Sequence, residues 1–152
     1  MLFTHLYNSP VGGISLLKDD SDLIGVSFSN QVFCDANARN DENTFKIIIN
    51  QLNEYFFEGR KNFSIQYRLP FTGFRSEVFK EMIKIPYGEC VTYSYLAKKV
   101  GNPKAYRAVG SSCGKNPLPL VVPCHRVVSK SGLGGFTGGL DIKRFLLELE
   151  SN

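Results

Sequence analysis

Residues 92–113 read TYSYLAKKVGNPKAYRAVGSSC, a stretch with the pattern of two short helices joined by a tight turn. Thr92 can cap a first helix over residues 93–100, because a threonine hydroxyl accepts a hydrogen bond from the start of a helix. The Gly-Asn-Pro sequence at 101–103 predicts the turn, and small residues at helical spacing predict a second helix over residues 104–113. This order is typical of a helix-turn-helix, in which the second helix is the recognition helix.

The sequence around this motif predicts a mostly helical unit with one glycine-rich loop. Apolar residues at helical spacing indicate a helix over residues 76–85, which the Pro-Tyr-Gly sequence at 86–88 ends. Residues 132–139 contain five glycines, which suits close approach of the backbone to another group. An amphipathic pattern over residues 142–150 predicts a final helix with its apolar side chains inward. Together these elements predict a winged-helix-like subdomain.

The first half of the chain predicts a small unit of sheet and helix without chemically distinctive residues. Period-two patterns and helical spacing indicate these elements: strands at 1–7, 13–17, 23–29 and 63–67, and one helix at 44–57. We therefore expect an α+β fold. A small N-terminal β-sheet and helix subdomain at 1–70, which we take to be structural, precedes a DNA-binding subdomain at 71–152.

Composition favours an ordinary globular protein inside the cell. Of the 152 residues, 43% are hydrophobic and 21% are charged, as in soluble domains. No apolar stretch is long enough to cross a bilayer, and no signal peptide opens the chain. We therefore expect a cytoplasmic protein with no membrane partner.

Charge is distributed unevenly along the chain. Residues 1–70 contain six Lys or Arg against eight Asp or Glu, whereas residues 71–152 contain twelve against six. No acidic residue lies between Glu89 and Asp141, a segment with seven basic residues. Such a segment suits a polyanion, and a solvated basic face without a partner is the alternative.

The cysteines do not form a recognisable metal-binding or disulfide pattern. Cys34, Cys90, Cys113 and Cys124 include no C-x-x-C pair, and the only histidines are His5 and His125. A structural zinc site needs clustered ligands, and disulfides are unusual in a reducing compartment. We expect four free thiols and no metal site.

One of these thiols lies in a distinctive setting, the sequence VVPCHRVV at 121–128. A cysteine in an apolar run is usually a small buried hydrophobic residue. Cys124, however, is followed by His125, and imidazole is the usual base that makes a thiolate. In an extended strand the two side chains would point to opposite faces, so they approach each other only if the chain bends there.

Several motifs occur here in an order and spacing that resemble those of the O6-alkylguanine-DNA alkyltransferases, also called methylated-DNA–protein-cysteine methyltransferases. The similar stretches in the second half are IPYGE at 85–89, TY at 92–93, LA at 96–97, GNPKA at 101–105, RAVG at 107–110, NP at 116–117, PCHRV at 123–127, GGL at 138–140 and Lys143. In the first half the resemblance covers mainly residues 52–60.

The resemblance implies DNA repair by direct reversal of damage. The protein would flip O6-alkylguanine, and less well O4-alkylthymine, out of duplex DNA. It would then transfer the alkyl group irreversibly to Cys124 in a single-turnover reaction without a cofactor. Double-stranded DNA containing the lesion would be the partner of a monomeric protein.

The resemblance also implies roles for individual residues. Cys124 would be the acceptor, His125 a base acting through water, Glu150 the carboxylate that orients the imidazole, and Asn116 the residue that holds the turn before the acceptor. The implied contacts to DNA are Tyr93, Ser94, Asn102, Lys104, Ala105, Arg107 and Ser131. The implied lining of the substrate pocket is Tyr93, Val127, Phe136 and Thr137.

Among these residues, Arg107 would enter the base stack in place of the flipped nucleotide. Tyr93 would donate a proton to the departing guanine. Phe136 stands where several relatives have tyrosine, so a hydroxyl near the substrate is missing. Cys113 stands on the recognition helix as a packing residue or a second reactive thiol.

Three other functions fit parts of the sequence. An alkyltransferase-like protein recognises the lesion without removing it, but such proteins lack the acceptor cysteine. A cysteine hydrolase would use Cys124 and His125 over many turnovers and would leave the basic helix-turn-helix unexplained. A transcription regulator would read DNA sequence and would not need Cys124.

Overall fold

The computed structural model describes residues 1–29, 33 and 37–152, which form two compact units, Met1–Leu69 and Pro70–Asn152. Cys34, one of the four thiols that the sequence predicts to be free, lies outside the described residues.

The first unit contains a four-stranded sheet of order β3-β2-β1-β4 and one helix. The strands are β1 (Leu2–Ser9), β2 (Gly12–Lys18), β3 (Leu23–Ser27) and β4 (Ala38–Asn40). β1 and β2 form an antiparallel hairpin, β3 pairs antiparallel with β2, and β4 pairs parallel with β1. Helix α1 (Lys46–Glu58) follows a 3-10 turn and packs against β1, where Tyr7 stacks on Phe56 and donates a 2.6 Å hydrogen bond to Asn53.

One prediction for this unit is wrong and one strand was missed. Residues 63–67 do not form a strand, because the Gln51 side chain bonds both backbone groups of Ser64 and, among the described residues, only one bridge, from Leu23 to Tyr67, joins the segment to the sheet. β4 was not predicted, since three mostly polar residues show no apolar alternation.

The second unit contains four helices and a two-stranded parallel sheet in its described residues, which have no gap. The elements are α2 (Gly73–Ile83), β5 (Val91–Thr92), α3 (Tyr93–Lys99), α4 (Tyr106–Gly114), a 3-10 turn (Cys124–Arg126), β6 (Val127–Val128) and α5 (Leu140–Glu150). β5 pairs with β6, Val91 opposite Val127, so the sheet joins the start of the helix-turn-helix to the end of the acceptor motif.

The helix-turn-helix is present, with one shifted boundary. The Thr92 hydroxyl accepts a 3.1 Å bond from the Tyr95 amide and caps α3, as predicted. α4 starts at Tyr106 and not at residue 104, because Asn102 and Ala105 close a tight turn with a 3.0 Å backbone bond before the helix begins. α2 and α5 each begin two or three residues earlier than predicted.

Candidate active site

Cys124 opens a 3-10 turn and is only 4% exposed. Its amide donates to the Val122 carbonyl at 2.8 Å, and the Arg126 amide donates to the Pro123 carbonyl at 3.1 Å. The chain therefore bends at the acceptor motif, which removes the strict alternation of an extended strand. His125, the next residue, is fully buried.

Asn116 fixes the loop that leads into this turn. Its side-chain amide donates to the Val122 carbonyl, and its side-chain oxygen accepts from the Leu118 amide, both at 2.9 Å. Leu120, between them, is buried in the left-handed region with φ of 79°, a conformation that costs a non-glycine residue free energy. The packing and hydrogen bonds of this loop therefore hold a strained backbone just before Cys124.

Burial controls the protonation of the Cys124 thiol. It raises the pKa of Cys124, because the thiolate loses solvation, while a hydrogen bond from Asn116 and the positive charge of Lys143 oppose the rise. At neutral pH the resting group is therefore the thiol, so a base must remove its proton during the reaction.

His125, Glu150 and Arg126 form a buried network beside the acceptor. Nε2 of His125 lies 2.7 Å from Oε2 of Glu150. Arg126 donates from Nε to Oε1 of Glu150 at 2.8 Å and from Nη2 to Oε2 at 3.0 Å, and its Nη1 donates to the Ile85 carbonyl at 2.8 Å. The fork of the guanidinium thus holds the carboxylate in one orientation.

This network sets the state of His125. Burial lowers the pKa of His125, and the bond to Glu150 only partly opposes this, so the ring is neutral at neutral pH. An ionised carboxylate only accepts hydrogen bonds, so the proton of the ring is on Nε2. Nδ1 then carries the lone pair, and it has no hydrogen-bond partner among the described residues. A neutral imidazole with a free lone pair can act as a base.

Lys143 is a buried residue whose contacts sequence reasoning did not predict. Its ammonium group is fully buried and donates to the carbonyls of Val127 at 2.7 Å and Gly135 at 2.9 Å. Lys143 thus ties α5 to both β6 and the glycine-rich loop. The amphipathic pattern indicated only apolar residues inward, although Lys143 belongs to the quoted motif set.

A cavity of about 420 Å³ lies over Cys124. Its lining residues come from the start of α3, the recognition helix, the acceptor turn and the glycine-rich loop: Tyr93, Gly110, Cys113, Gly114, Cys124, Gly135, Phe136 and Thr137. Tyr93, Phe136 and Thr137 are therefore brought together with the acceptor. Val127 is not, because it is fully buried in β6. Cys113 does line the cavity.

Tyr93 is held against the glycine-rich loop. Its hydroxyl accepts a 3.3 Å bond from the Gly135 amide, and a Cβ on Gly134 would lie 2.5 Å from the same oxygen. Burial raises the pKa of Tyr93, so its hydroxyl keeps its proton. The loop thus needs glycine at position 134 for this close approach, where φ is 74°.

The predicted DNA-contacting residues lie on or near the helix-turn-helix. Asn102 and Lys104 are exposed in its turn, Ala105 is half-buried and Arg107 is exposed at the start of α4. Ser94 lines a second cavity, of about 380 Å³, with Thr92, Tyr93, Tyr106, Ser129 and Lys130. Ser131 is exposed after β6 but does not line this cavity, whereas its neighbours Ser129 and Lys130 do.

Comparison with known proteins identifies the family. The model of the 6-O-methylguanine DNA methyltransferase ribonuclease-like domain matches residues 2–69, and that of the DNA binding domain matches residues 73–152. The chain belongs to the 6-O-methylguanine DNA methyltransferase family. The resemblance and the fold class predicted from the sequence are thereby confirmed.

Members of this family are similar over nearly the whole chain. Proteins named methylated-DNA–protein-cysteine methyltransferase are 42% identical in Saccharolobus solfataricus, over 99% of this chain and 96% of theirs, and 40% identical in Methanosarcina mazei, over 99% and 98%. The crystal structure of Mycobacterium tuberculosis OGT in complex with DNA has a TM-score of 0.91 and 37% identity, and covers 98% of this chain and 92% of that one.

Residues 1–29, 33 and 37–152 include no helix that combines the length and apolar composition needed to cross a membrane. The same residues contain no cluster of three or more His, Cys, Asp or Glu side chains that could hold a metal ion.

Proposed function

We propose that this chain is a DNA repair methyltransferase that transfers the alkyl group of O6-alkylguanine in DNA to its own Cys124. The observation that carries the proposal is the cavity over Cys124. It is bounded by the recognition helix on one side and the glycine-rich loop on another. A cysteine there meets a flipped base that enters beside a DNA-binding helix. Double-stranded DNA is therefore the partner, and O4-alkylthymine is a weaker substrate.

The residues around Cys124 support an in-line transfer with each proton accounted for. His125 takes the thiol proton through a bridging water at Nδ1, since Glu150 engages Nε2. The sulfur then attacks the alkyl carbon, so that a C–S bond forms while the bond from that carbon to O6 breaks with its electron pair moving to guanine. Tyr93 donates its hydroxyl proton to the guanine, and the proton that His125 took from the thiol then returns through solvent to the Tyr93 phenolate.

Substrate access follows from the helix-turn-helix. Arg107 enters the base stack where the damaged nucleotide leaves it, and flipping costs least where alkylation has already weakened pairing. Ser94, Asn102, Lys104, Ala105 and Ser131 contact the DNA around it. Phe136 and Thr137 line the pocket for the base.

The thioether has no route back to thiol, so each molecule reacts once. Residues 71–152 hold the acceptor and the DNA-binding residues, whereas residues 1–70 serve a structural role. We infer that the protein works as a monomer in the cytoplasm, without a cofactor.

Intact-mass spectrometry after incubation with an O6-methylguanine duplex tests the proposal. We expect a stoichiometric gain of about 14 Da, a methyl group in place of the thiol proton, mapping to Cys124, with guanine restored in the oligonucleotide. Cys124→Ala should bind the duplex and gain no mass, and Cys90→Ala, at an exposed thiol, should react like the wild type. Tight binding without mass gain in the wild type would instead indicate a lesion-recognition protein.

A further inference from the structure

The recognition helix α4 separates two cavities. At 100° per residue, Gly110, Cys113 and Gly114 share one face, which lines the acceptor cavity. Ala108, Ser111 and Ser112 lie on the opposite face, where they line a third cavity of about 470 Å³. Arg107 is exposed and lies between the two sets around the helix.

The far cavity contains a cation, Arg75 of α2. Its guanidinium lies 5.1 Å from the centre of the Phe71 ring, which stacks on buried Phe79. A stacked guanidinium keeps its edge N–H groups free for a planar or tetrahedral anion. The ring therefore holds the charge in place beside the cavity.

Arg75 makes no hydrogen bond or ion pair with any residue that the structure describes, and its Nε is buried without a partner. The two lysines farther along α2 and at its end differ, since Lys80 pairs with Glu77 at 3.2 Å and Lys84 with Glu81 at 3.0 Å. The partly exposed end of this guanidinium has no acceptor among the described residues, so it is available to an anion from outside the chain.

We propose that this cavity binds a backbone phosphate of the undamaged DNA strand and that Arg75 is the residue that binds it. The inference rests on the proposed function. If Arg107 fills the gap left by the flipped base, the damaged strand lies on the acceptor side of α4, because its nucleotide enters that cavity. The complementary strand then lies on the opposite side of the helix, over Ala108 and Ser111. Arg75 faces that strand.

Salt-dependent binding of duplex and single-stranded oligonucleotides with the same lesion tests this assignment. Each phosphate contact to duplex DNA contributes a slope of about −0.9 in log affinity against log salt. The salt dependence of Arg75→Gln binding to duplex should therefore be weaker by about one phosphate contact. Between about 50 and 200 mM salt, the affinity of the variant should fall roughly threefold less than that of the wild type. For the single-stranded oligonucleotide, the salt dependence of the variant should equal that of the wild type. Arg144→Gln, at an exposed arginine paired with Asp141, is the control.

Neutral methylphosphonate linkages, placed one at a time along the undamaged strand, show which phosphate is contacted. One linkage should weaken the wild type and leave Arg75→Gln unaffected, which identifies the contacted phosphate. The assignment would be overturned if every methylphosphonate position lowered the affinity of both proteins equally. It would also be overturned if Arg75→Gln reduced the salt dependence of binding equally on single strand and duplex.

Methyl transfer from the single-stranded lesion to Cys124, measured by intact-mass spectrometry, separates the proposed repair function from the proposed phosphate site. If Arg75→Gln keeps this transfer but shows no duplex-specific defect, the phosphate site is refuted and the repair function stands. If neither protein gains mass, the proposed function itself fails. A thermal melt equal to that of the wild type shows that the variant is folded, and Arg75→Lys should recover part of the salt slope.

Discussion

The Nε2 atom of His125 lies 2.7 Å from Oε2 of Glu150, which is 25 positions later in the last turn of α5. The same carboxylate receives two hydrogen bonds from Arg126 and is only 4% exposed. One acidic side chain at the end of the described fold thus orients the candidate base and neutralises a buried arginine. Because Glu150 is the last residue of α5, its bonds to His125 and Arg126 form only if the helix continues to its end.

Glu150→Gln should impair both stability and methyl transfer. The glutamine leaves the Arg126 guanidinium buried without a counter-charge, and breaking a buried pair in this way costs about 3–5 kcal/mol. It also replaces a carboxylate, which only accepts hydrogen bonds, by an amide that can accept or donate, so the proton of His125 is no longer fixed on Nε2. Urea unfolding and single-turnover transfer rates measure the two effects. Glu148→Gln, at an exposed position of the same helix, should leave both unchanged, and equal behaviour of the two variants would contradict the role of Glu150.

Arg107→Ala should slow repair in duplex DNA more than reaction with free alkylguanine base. The arginine replaces base stacking that is lost on flipping, and the free base needs no flipping. A loss of about 1.4 kcal/mol in the flipping step corresponds to a tenfold slower rate on duplex. Rates on both substrates check this, and equal slowing of the two would remove the stacking role. Lys104→Ala, at an exposed position of the turn, should change the salt dependence of DNA binding and leave the ratio of the rates on duplex and free base unchanged.

The sequence predicted the helix-turn-helix and the acceptor motif because both depend on local signals. Thr92 caps α3 through a bond three residues away, and the Gly-Asn-Pro turn is specified by its own residues. Elements that depend on distant partners were predicted less well. β4 is a strand only because β1 provides its hydrogen bonds, and residues 63–67 are not a strand because Gln51 takes the bonds of Ser64.

The same distinction applies to the candidate site. The resemblance implies that Asn116 holds the turn before the acceptor, and its side chain bonds the loop that leads into the 3-10 turn at Cys124. The burial of Lys143 was not predicted, because apolar periodicity assigns a lysine to the exposed face and the two carbonyls that converge on it belong to other segments. Val127, which the resemblance places in the pocket lining, is a fully buried residue of β6, and its role in the pocket stays a prediction.

Gly134→Ala should impair transfer by displacing the glycine-rich loop. Its Cβ would lie 2.5 Å from the Tyr93 hydroxyl and 2.9 Å from a ring carbon, and its φ of 74° disfavours alanine. Either the loop or Tyr93 must move, which opens the cavity over Cys124. Transfer rates at saturating DNA should fall tenfold or more, about 1.4 kcal/mol. Gly132→Ala is the matched control, because its Cβ would meet nothing within 4 Å and its φ is not positive. Equal rates for both variants would argue against the close approach.

Lys143→Met should move the pH dependence of transfer to higher pH. The Lys143 charge lowers the pKa of Cys124, so its removal raises that pKa further and reduces the thiolate available at neutral pH. The carbonyls of Val127 and Gly135 also lose their donor, which costs about 1–3 kcal/mol in stability for each group that stays buried. Single-turnover rates across a pH series check the first effect, and thermal unfolding checks the second. An unshifted profile with reduced stability would assign Lys143 a structural role alone.

The Cys113 thiol should make the folded protein sensitive to alkaline pH. Burial is the main cause, and the neighbouring Cys124 a second cause, of the rise of the Cys113 pKa to about 12. In the unfolded chain the same thiol titrates near its ordinary value of about 8.5. Between these values the unfolded state releases the proton and the folded state keeps it, so rising pH favours unfolding by up to about 1.4 kcal/mol per pH unit.

Cys113→Ala removes this titration and should flatten the fall in unfolding free energy above about pH 8.5, where the unfolded thiol begins to ionise. Urea unfolding at a series of pH values measures the slope, and Ser111→Ala, an exposed neighbour that does not titrate, should keep the slope of the wild type. Parallel slopes for all three proteins would mean that the Cys113 thiol ionises as easily in the folded state as in the unfolded one. The raised pKa alone does not exclude Cys113 from the proposed reaction, because burial raises the pKa of Cys124 as well. Cys124 is the favoured acceptor because His125, the candidate base, lies in the same 3-10 turn.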